Sequence, residues 1–254
     1  MLDVCSEFAE RYDVIFNTDK SKLLTFGNAR VPPNGVQFAG GTISYVTDDL
    51  HLGNPIGNKS DSVAINHSIT ELYSATNIIM SYFSPCDISV RYELFKTYGM
   101  SLYGSVLLNY TGRDINRLYV TWRECVRRLL GVPTTTHCAL LPGICRDLDP
   151  ATQLIRRCVK FIQQTMCSGN PLTRMCMRMA MAGSRSNISD TMSLITQTFK
   201  IPRYNLPSHP VQHILAPHTP NQDVATAIRD ILLDNVPHLD KAESMQLLHY
   251  LCTG

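Results

Sequence analysis

The chain has 254 residues, 44 % hydrophobic and 17 % charged, with a net charge of +2, so it can bury one core or two and is too apolar to be disordered. No apolar run approaches the roughly 18 residues that a membrane-spanning helix needs. The nine cysteines are odd in number and form no C-x-x-C pair, and Met1 leads into an amphipathic, acidic run instead of a signal peptide; both features predict free thiols in a reducing, intracellular compartment, nuclear or cytoplasmic, and not a secreted protein.

Leu2, Cys5, Phe8, Ala9 and Tyr12 recur at helical spacing and predict a helix over 1–12. Asn17-Thr18-Asp19 predicts a turn, and residues 22–26 a buried strand closed by Gly27-Asn28. Pro32-Pro33-Asn34-Gly35 is a strong turn signal. Residues 36–38 and 42–46 predict two short strands about Gly40-Gly41, and 50–53 a further strand after a turn at Asp48-Asp49. From about Ser62 the period becomes helical. It predicts helices near 62–82, 88–108, 113–130, 150–167, 171–182, 187–198, 221–234 and 240–252. Pro85, Gly112, Gly131-Val132-Pro133, Pro142-Gly143, Gly169-Asn170-Pro171 and Gly183 punctuate them. Residues 202–220 hold five prolines and read as a linker. The expected fold class is α+β, mostly α: a small strand-containing piece followed by a helical body.

Charge is unevenly spread. Residues 1–150 hold 13 basic and 15 acidic residues, and residues 151–254 hold 10 and 6. Arg156, Arg157, Lys160, Arg174, Arg178 and Arg185 follow one another with no acidic residue between, which suits a phosphate backbone as well as a solvated face.

Three segments carry a family likeness. The first runs from Cys5-Ser6-Glu7-Phe8 through Asn17-Thr18-Asp19-Lys20-Ser21-Lys22 to Phe26. The second is Phe38-Ala39-Gly40-Gly41-Thr42-Ile43 continued at His51-Leu52-Gly53-Asn54-Pro55. The third is Leu94-Phe95-Lys96-Thr97-Tyr98-Gly99, continued at Trp122-Arg123-Glu124-Cys125 and at His137-Cys138-Ala139-Leu140-Leu141-Pro142. In this order they resemble the reverse transcriptases of non-LTR (LINE-type) retrotransposons, over roughly residues 1–145. The likeness implies a palm remnant with motif D and a primer-grip hairpin at 1–57. It implies a helical thumb at 58–148 next; beyond about 150, composition and periodicity alone predict a basic helical extension at 149–201, the linker at 202–220 and a C-terminal helical hairpin at 221–254.

In that family, nucleotide addition uses two Mg²⁺ ions held by aspartates. The resemblance implies that those aspartates lie upstream of this chain, which would then be inactive alone and need no cofactor of its own. Tyr45-Val46-Thr47-Asp48-Asp49 is one residue too long for the aspartate motif and sits in the primer-grip region; it reads as a solvated turn. Lys20, with Lys22 as the alternative, corresponds to a lysine that can protonate the leaving group in a complete enzyme. His51, Leu52 and Gly53 correspond to the primer grip. Arg127 and Arg128, together with Arg156, Arg157 and Lys160, are candidates for holding the backbone of an RNA template paired with a DNA primer. Arg113 with Arg117, and Arg123 with Arg127, are spaced to share helix faces. Trp122 reads as a core anchor, and Met175, Met177, Met179 and Met181 as core filling. Cys167, Cys176, His209, His213 and His218 fit no zinc spacing, so no metal ligands are expected. A non-enzymatic module of retroelement origin, binding nucleic acid or protein through its helices, is the alternative. No membrane partner is expected, and a partial palm would expose apolar surface and favour self-association.

Overall fold

The computed structural model describes residues 2–25, 35–57, 60–102, 104–183, 186–201, 222–235 and 240–253. The predicted strand end at Phe26, the Pro32-Pro33-Asn34 turn and the 202–220 linker lie outside the described residues. The chain is α+β and mostly helical, and among the described residues the short strands all lie in its N-terminal part. It divides into two compact units, Met1–Ala64 and Ile65–Gly254.

In the first unit, helix α1 (Leu2–Tyr12) precedes β1 (Lys22–Leu24), β2 (Val36–Phe38) and β3 (Gly41–Val46). β3 is central: it pairs parallel with β1, Lys22 opposite Ser44, and antiparallel with β2, Phe38 opposite Gly41. Alternation along these strands sends Phe38 and Ile43 inward with Ala9 of α1, and the Phe16 ring lies 4.9 Å from that of Phe38. The other side of α1 is bare: Val4, Phe8 and Tyr12, four residues apart, are all more than half exposed.

A second hairpin joins β4 (Asp48–His51) to β5 (Asn54–Gly57), with His51 opposite Asn54. Asp48-Asp49 opens a strand and is not a turn; the turn is Leu52-Gly53, and β5 was missed. Both turn residues have positive φ, 51° and 80°, as a two-residue hairpin loop that follows the strand twist requires. Pro55 hid β5, yet it stands on an outer strand where no ladder donor is lost.

The second unit is built of helices. α2 (Ser60–Tyr82) enters it from the first and buries Ile65, Leu72 and Ile79. α3 (Ile88–Tyr98) stops ten residues before the predicted end at 108, because Gly99 and Met100 both donate to the Phe95 carbonyl and close the helix. A single 3₁₀ turn, Ser105–Leu107, follows Gly104, whose φ is 76°. α4 (Ile115–Leu130) buries Leu118, Trp122, Cys125, Val126 and Leu129. It ends in a Schellman turn, with Gly131 left-handed at φ 70° and Val132 N–H bonded to the Arg127 carbonyl.

α5 (Leu140–Cys145) was not anticipated, since Pro142-Gly143 reads as punctuation. Pro142 is tolerated there because first-turn N–H groups have no intrahelical partner. Gly143 lets the helix meet Ala225 of α9 (Gln222–Leu232) so closely that a Cβ at 143 would overlap it. α6 (Pro150–Met166) and α7 (Pro171–Ala182) start alike: Asp149 and Asn170 cap them by accepting from Thr152 and Leu172 N–H, each before a proline. α8 (Asn187–Phe199) and α10 (Lys241–Thr253) complete the described helices.

Burial suppresses the ionisation of several groups here. It pushes the Tyr92, Tyr110 and Tyr119 phenols and the Cys145 thiol well up, and the Cys158 thiol up to about 12. All these groups are neutral when protonated, so their contribution is complete below the unfolded values, about 8.5 for Cys and 10 for Tyr. It is lost as pH rises, because only the unfolded chain then releases protons. Urea unfolding should therefore show stability falling from about pH 9 and more steeply above 10, by roughly 1.4 kcal/mol per pH unit for each group. A flat profile to pH 11 would contradict the burial of these phenols.

Candidate nucleic-acid interface

The first unit holds two of the segments singled out above, the turn at Asn17–Lys22 and the β4–β5 turn. Asn17 organises the turn before β1: its Oδ1 accepts from Lys20 N–H at 3.0 Å, and its carbonyl accepts from Ser21 Oγ at 2.8 Å. Gly41 makes room for this turn, since a Cβ there would overlap the Thr18 side chain. The two lysines now differ. Lys22 donates its ammonium to the Asp19 carbonyl at 3.1 Å, while the exposed Lys20 ammonium has no partner among the described residues. Lys20 is thus the lysine available to an external phosphate.

The β4–β5 turn places His51, Leu52 and Gly53 in solvent, with Leu52 77 % exposed. A leucine at positive φ is uncommon and costs conformational energy. A Cβ added at Gly53 would meet nothing within 4 Å, so the glycine is required by its φ and the tip is sterically open.

The Mg²⁺ ions implied by the resemblance find no fitting ligands at Asp48-Asp49. Neighbours on a strand point to opposite faces, and Asp49 Oδ1 is already held by Leu50 N–H at 2.8 Å. Among the described residues no cluster of three His, Cys, Asp or Glu could hold a metal ion.

In the second unit the arginines separate into anchored and presented groups. Arg127 donates through Nε and Nη2 to the Thr136 carbonyl, at 3.0 and 2.7 Å, tying the end of α4 to the loop beyond it. Arg157 donates to the carbonyls of Met100 and Ser101, at 2.6 and 2.9 Å. Desolvation lowers its pKa from the ordinary value. Both guanidiniums are bracing elements. Arg156 is half-buried beside Arg146 and Asp147 in a small depression, and Lys160 is exposed on α6. Arg113 precedes the first turn of α4, so it does not share that helix's face with Arg117 as the spacing suggested.

Arg117 and Arg128 are different. Each is exposed and donates one Nη2 bond to an asparagine of α2: Arg117 to Asn66 Oδ1 at 2.9 Å, Arg128 to Asn77 Oδ1 at 3.0 Å. Between them the Tyr73 hydroxyl donates to Glu124 Oε2 at 2.6 Å, a bond that raises the Tyr73 pKa. All three pairs are separated by the same 51 residues, so α2 and α4 run parallel in one register. Neutral amide acceptors orient the guanidiniums without cancelling their charge. With 1.5 Å rise per residue, the two cations stand about 16.5 Å apart along α4. The asparagines were missed in the sequence. The signal was present as the repeated offset between two long helices.

An apolar groove of about 610 Å³ flanks α2, lined by Ile78, Ile79, Phe83, Leu94 and Tyr98, with the His67–Glu71 pair at 3.6 Å also on its wall. No described helix is long and apolar enough to cross a membrane. None of the nine cysteines is in a disulfide. Comparison with protein-family models, with curated proteins and with solved structures finds no match to this chain.

Proposed function

We propose that this chain is the template–primer-holding part of a non-LTR retrotransposon reverse transcriptase, acting on an RNA–DNA hybrid, with the catalytic aspartates supplied elsewhere. The observation that carries the reading is the pair of amide-oriented, exposed guanidiniums, Arg117 and Arg128, on one face of α4. Such groups grip phosphates by charge and read no sequence. The available Lys20 ammonium and the open Leu52-Gly53 tip support the same reading, because both match motifs of that family in the expected order. The exposed Val4, Phe8 and Tyr12 of α1 support self-association of the isolated chain.

Binding to a fluorescent RNA–DNA hybrid, followed by anisotropy across a KCl series, tests this. Affinity should fall linearly in log[salt]. Arg117→Ala should lessen that slope by about 1, and Arg117→Ala with Arg128→Ala by about 2. The chain alone should extend no primer with Mg²⁺ or Mn²⁺. Binding that ignores salt, or an unchanged slope in the double variant, would remove the α4 face from the account.

A further inference from the structure

The methionine-rich helix α7 was expected to fill the core, and mostly it does not. It packs against α6 and α8, yet Met177 is its only buried residue. Leu172, Met175 and Met179 are 67 %, 58 % and 63 % exposed, and Cys176 is exposed beside them. Positions 172, 175, 176 and 179 follow the i, i+3, i+4, i+7 spacing of one helix face. The structure thus leaves α7 with an outward apolar stripe, rich in the flexible thioethers that adapt to varied partner surfaces.

The charge carried by α6 and α7 themselves has one sign. Between Asp149 and Asp190 the chain carries six basic residues and no carboxylate. Arg178 is exposed on α7 itself, and Arg174 is half-buried, its Nη1 bonded to the Ser168 carbonyl. The charged residues of α6 are Arg156, Arg157 and Lys160, all basic; on α8 the single carboxylate is Asp190, in the first turn.

We propose that α7 is a docking helix for an acidic amphipathic helix of a partner protein. The partner lays apolar side chains along Leu172, Met175, Cys176 and Met179 and sets carboxylates against Arg178 and the exposed Lys160 of the adjoining α6. Charge complementarity selects this occupant. A phosphate backbone would satisfy the arginines and leave the stripe unburied. A second copy of the same helix would bring like charges together with no carboxylate to offset them. A lipid surface is poorly matched, because α7 has no aromatic side chain and its 12 residues span only about 18 Å.

The test uses the full chain and three probes: a synthetic amphipathic peptide with a leucine stripe flanked by glutamates, the same peptide with lysines for the glutamates, and phosphatidylserine vesicles. The glutamate peptide should bind saturably and shield Cys176 from maleimide, while the exposed Cys167, outside α7 at the end of α6, still reacts. Met175→Ser with Met179→Ser, and separately Arg178→Glu, should each weaken binding at least about tenfold. Both sites are exposed, so thermal melting should not move, and lost binding then reflects the surface. Equal binding of the lysine peptide, indifference to the methionine changes, or Cys176 shielding by vesicles, hybrid or self-association instead would overturn the proposal. Because Arg117 and Arg128 are untouched, hybrid binding by these variants separates this outcome from that of the α4 reading.

Discussion

Trp122→Ala should lower the stability of the helical unit by about 3–5 kcal/mol, the range for removing a large aromatic from a packed interior. The indole is 1 % exposed and belongs to the first of three successive buried pairs on α4, Thr121–Trp122, Cys125–Val126 and Leu129–Leu130. Two adjacent buried positions per turn mean that α4 is covered on a wide arc, so a void at 122 has several walls and cannot collapse from one side. Among the described residues the buried indole N–H has no hydrogen-bond partner. Trp122→Phe therefore removes an unpaired donor as well as some apolar volume, and its cost should stay below about 1.5 kcal/mol. The chain has one tryptophan, so unfolding of the variants must be followed by circular dichroism, not fluorescence. A cost under 1 kcal/mol for the alanine variant would mean that the indole is not the keystone its burial indicates.

Arg157→Ala should cost about 2–3 kcal/mol, because the guanidinium makes charge-assisted bonds to the Met100 and Ser101 carbonyls just after α3 ends. A lysine keeps the charge and loses the fork, so Arg157→Lys should recover less than half of the loss. The same pair of variants separates bracing from binding. If Arg157 is a brace, hybrid affinity measured under folding conditions should scarcely change while the unfolding midpoint drops. The reverse pattern, a normal midpoint with affinity cut tenfold, would return Arg157 to the phosphate-holding group. Arg117→Ala is expected to show that reverse pattern.

Most helices were legible because α4, α6 and α7 begin or end on strong local signals: Gly131 after α4, and Asp149-Pro150 and Asn170-Pro171 before the others. What was illegible depended on context. α5 contains Pro142 and Gly143, residues that locally oppose a helix; Gly143 is there for the close approach of Ala225, 82 positions later, a contact no window of sequence can display. β5 was hidden by Pro55, and the hairpin turn by Leu52, which does not resemble a residue chosen for positive φ. The candidate cations were found by type and spacing, but spacing could not tell that Arg127 and Arg157 are consumed by carbonyls while Arg117 and Arg128 are displayed. The methionines of α7 misled for a related reason: apolar composition signals burial against something, and that something need not be in the same chain.

The constant offset between α2 and α4 works as a vernier. Sliding α4 by one turn would set Glu124 beside Asn77 and Arg128 beside Ser81, and all three polar bonds would be lost together, although the aliphatic surfaces beneath could mesh again. Hydrophobic contact alone leaves axial position weakly specified, and it is the hydrophilic rim that allows a single setting. A change at Asn66 or Asn77 would therefore do more than free one arginine: it would loosen the graduation that fixes the distance between the two.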